Sequence, residues 1–117
     1  ELTRYELHRV WVVEAKRRIG ISHIYDRRVF YIDEDSWQIL ASEEYDEEGE
    51  LWRVSEAHNI SYYSVPVFWT TMEMTYDLKA QRYYIDGLDN GYPAYDFDPG
   101  FRGNEFTASA ARRAARR

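Results

Sequence analysis

The sequence predicts an all-β domain, an antiparallel meander followed by an irregular C-terminal segment and a short helix. Three observations carry this. Aromatic residues make up 17% of the 117 residues, with eleven Tyr and four Trp, a composition that favours strands. Three strand-like runs lie between Arg28 and Ala57, and two acidic turns separate them, Asp33-Glu34-Asp35-Ser36 and Asp46-Glu47-Glu48-Gly49. The remaining runs up to Ile85 are also short, alternating and locally connected, the pattern of hairpins in series.

Taken in order, Tyr5 to Ala15 alternates well enough for a long first strand. Tyr5, Leu7, Arg9, Trp11 and Val13 share one of its faces, and Glu6, His8, Val10, Val12 and Glu14 the other. Lys16 to Gly20 is a polar connection. Ser22 to Tyr25 leads into the central meander, and His58 to Tyr63 extends its last strand. Pro66 has no N–H to donate and interrupts the ladder. Phe68 to Asp77 is the next strand, with Thr70, Met72, Met74 and Tyr76 on one side. Leu78 to Gln81 turns it, and Arg82 to Ile85 returns. The meander thus occupies residues 1–87. From 88 to 117 Gly and Pro punctuate an irregular segment that still carries Tyr92, Tyr95, Phe97, Phe101 and Phe106. These aromatics predict a segment packed across the sheet. Thr107 is placed to cap a helix from Ala108 to Arg117, and Arg112, Arg113, Arg116 and Arg117 suit the negative end of its dipole.

The second turn implies a register. Gly49 is free to take the positive φ that closes an Asp-x-x-Gly turn. Asp46 then faces Glu50, Tyr45 faces Leu51, Glu44 faces Trp52, Glu43 faces Arg53 as an ion pair, and Ser42 faces Val54. A tight first turn sets Ile32 beside Trp37 and Phe30 beside Ile39. One face then holds Phe30, Ile32, Trp37, Ile39, Ala41, Tyr45 and Leu51, and the other Val29, Tyr31, Leu40, Trp52 and Val54. Both faces are partly apolar, whereas a sheet with one wet face alternates more cleanly. Something is therefore expected to cover the second face.

Charge narrows the function. The net charge of −6 disfavours a dominant nucleic-acid role, which needs a basic face. There is no cysteine, so neither disulfides nor thiolate metal sites arise. No apolar run approaches the roughly 20 residues that span a bilayer as a helix, and no stretch of these residues is expected to act as a signal peptide. The chain opens on Glu1 directly into strand-like sequence and is expected to be either a single domain over 1–117 or the C-terminal portion of a larger one.

Catalytic and metal patterns are weak. The acidic run Glu43 to Glu50 reads as a solvated strand end that blocks aggregation. The spacing of His8, His23 and His58, with Glu14 or Glu56, matches no metal signature. Ser, His and Asp occur, but no spacing marks a triad, and no phosphate loop or nucleophile elbow is present. No enzyme activity and no cofactor are expected. Among apolar groups, Met72 and Met74 stand two apart on one strand face and suit an irregular apolar ligand or a plain core. Trp11, Trp37, Trp52 and Trp69 suit a sheet core or a sugar-stacking platform.

The segments YELHRVWVVEA, HIYDRRVFYIDEDSWQILASEEYD and GELWRVSEAHNI, continuing through VPVFWTTMEMTYDLKAQRYY to FTASAARRAARR, resemble the C-terminal region of a Gram-negative bacterial family. Its members are labelled outer-membrane lipoprotein-sorting proteins (domain-of-unknown-function family 1329). VFYIDEDSWQI and GELWRVSEAH are the most specific parts. The family is similar in fold to LolA and LolB, periplasmic lipoprotein carriers built as curved antiparallel half-barrels with helices over an apolar cavity. The resemblance implies part of such a half-barrel, and binding or transport of a lipid or other apolar ligand in the periplasm or at the outer membrane. Outer-membrane or transporter proteins are further partners in that reading. The expected ligand wall is Phe30, Ile32, Trp37, Ile39, Met72 and Met74. The alternatives are an assembly module that pairs through an exposed sheet edge and, more weakly, a carbohydrate-binding sheet.

Overall fold

The computed structural model describes residues 4–88, 95–98 and 100–116. Six strands run β1 (Val10–Lys16), β2 (Arg27–Asp33), β3 (Ile39–Tyr45), β4 (Leu51–Tyr62), β5 (Val67–Asp77) and β6 (Arg82–Asp86). Each pairs antiparallel with its neighbours in sequence, so the sheet is an open meander ordered β1 to β6. The expected all-β meander is the fold. The first strand is shorter than the alternation predicts, because Tyr5 to Arg9 leave the ladder. Tyr5 donates its hydroxyl to Glu56 at 3.2 Å and Arg9 pairs with Glu34.

The Asp46 turn forms as its residues dictate. Asp46 Oδ1 accepts from the N–H groups of Glu48 and Glu50 at 3.0 and 2.8 Å, and Gly49 sits at φ 81°. Tyr45 faces Leu51, but one residue later the expected register fails. Glu44 faces Arg53 and Glu43 faces Val54, because Trp52 is extruded as a bulge. The indole of Trp52 turns instead to Asp77, at 3.1 Å. The expected Glu43–Arg53 ion pair is therefore absent: Arg53 pairs with Asp77 at 3.3 Å, and Glu43 accepts from the hydroxyls of Tyr31 and Tyr45.

A second bulge, at Leu40, sets Ile32 opposite Ile39 and Phe30 opposite Ser42. Trp37 is not beside Ile32; it stands in the β2–β3 turn at φ 60°. A third bulge lies at Thr71 on β5. There Gly87 (φ 78°) approaches so closely that a Cβ would lie 2.9 Å from the Thr71 carbonyl oxygen. Only glycine meets both demands without strain.

The C-terminal aromatics divide. Phe97 packs against Tyr62 (ring centroids 5.2 Å apart) and Tyr95 against Trp69 (6.5 Å), while Phe101 and Phe106 pack on each other. Tyr92 and Arg117 lie outside the described residues. Thr107 caps the helix α1 (Ala108–Ala114) by accepting from the Ala110 N–H at 3.2 Å. The helix packs against a 3₁₀ turn at Gly103–Glu105 and not against the sheet.

This sheet is one layer thick. Among the described residues Val29 is the single buried hydrophobic side chain. The chain exposes 10144 Å², against about 6,700 Å² for a folded monomer of this mass. Its radius of gyration is 17.8 Å, against about 13 Å for a packed domain of this length.

Candidate functional site

Cross-strand partners define the two faces. On one face three rows follow each other along the strands. The first is Trp11, Ile32 and Ile39; the second is Val13, Phe30, Ser42, Ser55, Thr75 and Tyr84; the third is Ala15, Arg28, Glu44, Arg53, Asp77 and Arg82. Apolar groups thus gather over β1–β3. Small hydroxyl residues floor the middle strands, with Ser55 and Thr75 in contact at 3.0 Å. A row of alternating charge closes one end. Trp11, Val13 and Ile39 are 55%, 44% and 47% exposed, so the cluster presents a contiguous apolar surface.

The opposite face carries Val12, Tyr31, Ala41, Glu56, Met74 and Ile85 in one row and Glu14, Val29, Glu43, Val54, Tyr76 and Tyr83 in the next. Met72 stands beside His58, on the face of Met74. The six residues of the expected wall are therefore divided. Phe30, Ile32 and Ile39 lie together, Met72 and Met74 lie on the other face, and Trp37 stands in the turn. Ala41 and Tyr45 likewise leave the face of Phe30. Trp11 and Val13 complete the apolar cluster. Their alternation was visible in sequence, but the β1–β2 register that joins them to Ile32 and Phe30 was not.

The face of Met74 is tied by its own hydrogen bonds. Tyr31 and Tyr45 donate to Glu43 at 3.0 and 2.6 Å, Tyr5 donates to Glu56, and the Arg27 guanidinium lies 3.5 Å from the Tyr45 ring centroid. Burial raises the Tyr31 hydroxyl above the usual phenol value, and the bond to Glu43 raises that of Tyr45. The apolar cluster on the Phe30 face has no such ties.

Three loops meet at the end of the sheet that carries the charged row. Arg17 bridges Asp26 at 3.0 Å and Glu47 at 3.1 Å; Arg53 donates to the Tyr25 hydroxyl at 2.7 Å; Lys79 pairs with Asp46. The Ala80 N–H, then the Trp52 indole and Arg53, hold the Asp77 carboxyl below its ordinary range, and Lys79 does the same for Asp46. At the other end His8 Nδ1 lies 3.0 Å from Asp33, while Ser36 donates both its hydroxyl (2.6 Å) and its N–H (2.9 Å) to that carboxylate. Asp33 therefore stands between serine and histidine, and no hydroxyl-to-imidazole relay forms. His23 lies against Tyr25 and His58 beside Glu56. Among the described residues no three His, Asp or Glu side chains are placed to hold a metal, and no helix is long and apolar enough to cross a membrane.

A single antiparallel layer with a bare apolar cluster is the geometry against which known proteins can be set. A family model described as a protein of unknown function, DUF1329, matches residues 1–112. The chain belongs to the DUF1329 family. It is 48% identical over 113 residues to the uncharacterized protein PA3922 of Pseudomonas aeruginosa, covering 96% of this chain and 25% of that one. Two crystal structures share its fold, each at 17% identity over 86% of this chain and 40% of theirs. One is a DUF1329 family protein from Desulfovibrio piger, at a TM-score of 0.59. The other, at 0.56, is a domain from Vibrio parahaemolyticus described as a candidate outer membrane lipoprotein-sorting protein. The chain thus spans about a quarter of the length of PA3922.

Proposed function

We propose that this chain forms part of a non-enzymatic protein of the bacterial envelope that binds or carries a lipid or other hydrophobic ligand. The observation that carries this reading is the untied cluster of Trp11, Val13, Phe30, Ile32 and Ile39 on a sheet over which the described residues place no second layer. The lipoprotein-sorting description of the structural neighbour from Vibrio parahaemolyticus supports the same reading. The mechanism is burial of acyl surface, which contributes about 0.8 kcal/mol per CH₂ group. A ligand with a dozen buried methylenes would draw on about 10 kcal/mol before the cost of its immobilisation. The role of Met72 and Met74 in this reading is to line the second face, away from the first cluster. A periplasmic site of action, at or near the outer membrane, belongs to the same proposal.

The test is uptake of an environment-sensitive apolar dye by the full chain. Ile39→Asp places a charge in the cluster at a side chain already half exposed, so the variant should fold and lose the dye signal. A folded Ile39→Asp protein with undiminished uptake would contradict the assignment. A second reading has one observation behind it. β1 and β6 are open sheet edges, and such edges pair with partner strands. It would be favoured by a protein that takes up no dye but shields the amides of β6 from exchange when a partner is added.

A further inference from the structure

An acidic chain concentrates positive charge in one groove. Two basic runs, Lys16 to Arg18 and Arg27 to Arg28, lie eight residues apart, and the β1–β2 register sets Lys16 opposite Arg27 and Ala15 opposite Arg28. The loop folds back over them. Lys16, Arg17, Arg18, Arg27 and Arg28 then line a groove of about 160 Å³ in which Asp26 is the one carboxylate. The fold offsets three of the five charges. Lys16 and Arg27 share Glu14, at 2.8 and 3.5 Å, and Arg17 is held by Asp26 and Glu47. Arg18 and Arg28 make no ion pair among the described residues.

Arg28 is the informative one. It is half-buried, and its guanidinium lies 5.3 Å from the ring centroid of Phe30. Across β3 its partner in register is Glu44, which is 8% exposed. Glu44 makes no ion pair with it: Oε1 accepts from Ser42 at 2.6 Å, and Oε2 is enclosed with no hydrogen-bond partner. Phe30 in turn belongs to the row next to Trp11, Ile32 and Ile39. Lys16 and Arg27 project from the opposite face, beside Glu14 and Tyr45, so it is Arg28 that joins the groove to the apolar cluster of the Phe30 face. Guanidinium groups bind phosphate oxygens through paired, charge-assisted hydrogen bonds.

We infer that this groove takes the phosphate of an anionic phospholipid whose acyl chains lie over Phe30, Ile32 and Ile39. The inference rests on the lipid-binding reading and names its ligand class. The continuity of charge with apolar surface fits an amphiphile, where a groove for a free anion would need no apolar floor beside it.

The experiment titrates the full chain with fluorescent phosphatidylglycerol, and with a diacylglycerol of the same acyl chains. The wild type should prefer the phospholipid by on the order of ten-fold, the worth of one charge-assisted hydrogen bond. The double variant R18Q/R28Q should lose that preference while keeping its affinity for diacylglycerol. R112Q/R113Q, which removes the same charge from the exposed C-terminal helix, should change neither. A folded R18Q/R28Q protein that keeps the full preference overturns the proposal, as does a wild type that binds both amphiphiles alike. Inorganic phosphate binding as tightly as the phospholipid would assign the groove to a free anion, which also overturns it. A wild type that binds neither amphiphile contradicts the lipid-binding reading itself. Should the double variant not fold, salt decides on the wild type: a preference that does not fall between low and high ionic strength overturns the phosphate assignment.

Discussion

Trp37 is the residue whose conformation its chemistry does not explain. It sits at φ 60° in the β2–β3 turn and is 70% exposed. A left-handed backbone costs a bulky residue roughly 1–2 kcal/mol, and glycine almost nothing. The turn holds it there through the Trp37 N–H to the Asp33 carbonyl (3.0 Å) and the Asp33 N–H to the Gln38 carbonyl (2.8 Å). Strain retained at an exposed aromatic fits a side chain kept for contact. Trp37→Gly should therefore raise the stability of the fold by about 1 kcal/mol and weaken apolar-dye uptake. Thermal melts and dye titration check the two halves, and a lower melting temperature would contradict the account of strain.

At the scale of strands and turns, much was legible in the sequence. The Asp46 turn, the break at Pro66 and the Thr107 cap follow from local chemistry and form as expected. Register was not legible past a bulge, because period-2 alternation carries no mark of an extra residue. Extrusion of Trp52 moves Arg53 from Glu43 to Glu44 and Asp77, and so creates the row Arg28, Glu44, Arg53, Asp77, Arg82. No spacing in the sequence shows that row. Nor does anything local relate the faces of strands that are not neighbours, so the sequence does not show that Met72 and Met74 face away from Phe30.

The turns also set the response to acid. Asp33 is held low chiefly by the Ser36 hydroxyl, Asp46 by Lys79 and Asp77 by the Ala80 N–H. A carboxylate with a depressed folded pKa binds fewer protons folded than unfolded, so its contribution is present above the usual carboxylate range. It is lost as the pH falls through about 4. His8 has the opposite sign: its bond to Asp33 raises it, and its contribution fades as the pH rises past its raised pKa. Melting temperature should therefore drop steeply between about pH 5 and pH 3. Asp77→Asn should melt lower at pH 7 and show a shallower drop. A variant with the wild-type acid profile would contradict the role given to Asp77.

The whole molecule is defined by surface it does not bury. A sheet of six strands with one buried hydrophobic side chain among its described residues cannot draw its stability from a two-layer core. What distinguishes the faces is that one satisfies its rings with Tyr–Glu hydrogen bonds and the other leaves Trp11, Val13 and Ile39 exposed beside Arg28. The covering of the sheet was foreseeable as a need, from two partly apolar faces. Its identity was not, because no residue here encodes what lies above it.

The most direct measurement is native mass spectrometry of the full chain isolated from its own cells, followed by organic extraction. The account predicts a bound mass increment that extracts into organic solvent and fragments as a phospholipid. A protein that arrives free of any extractable molecule, in fixed ratio with a protein partner, would contradict it.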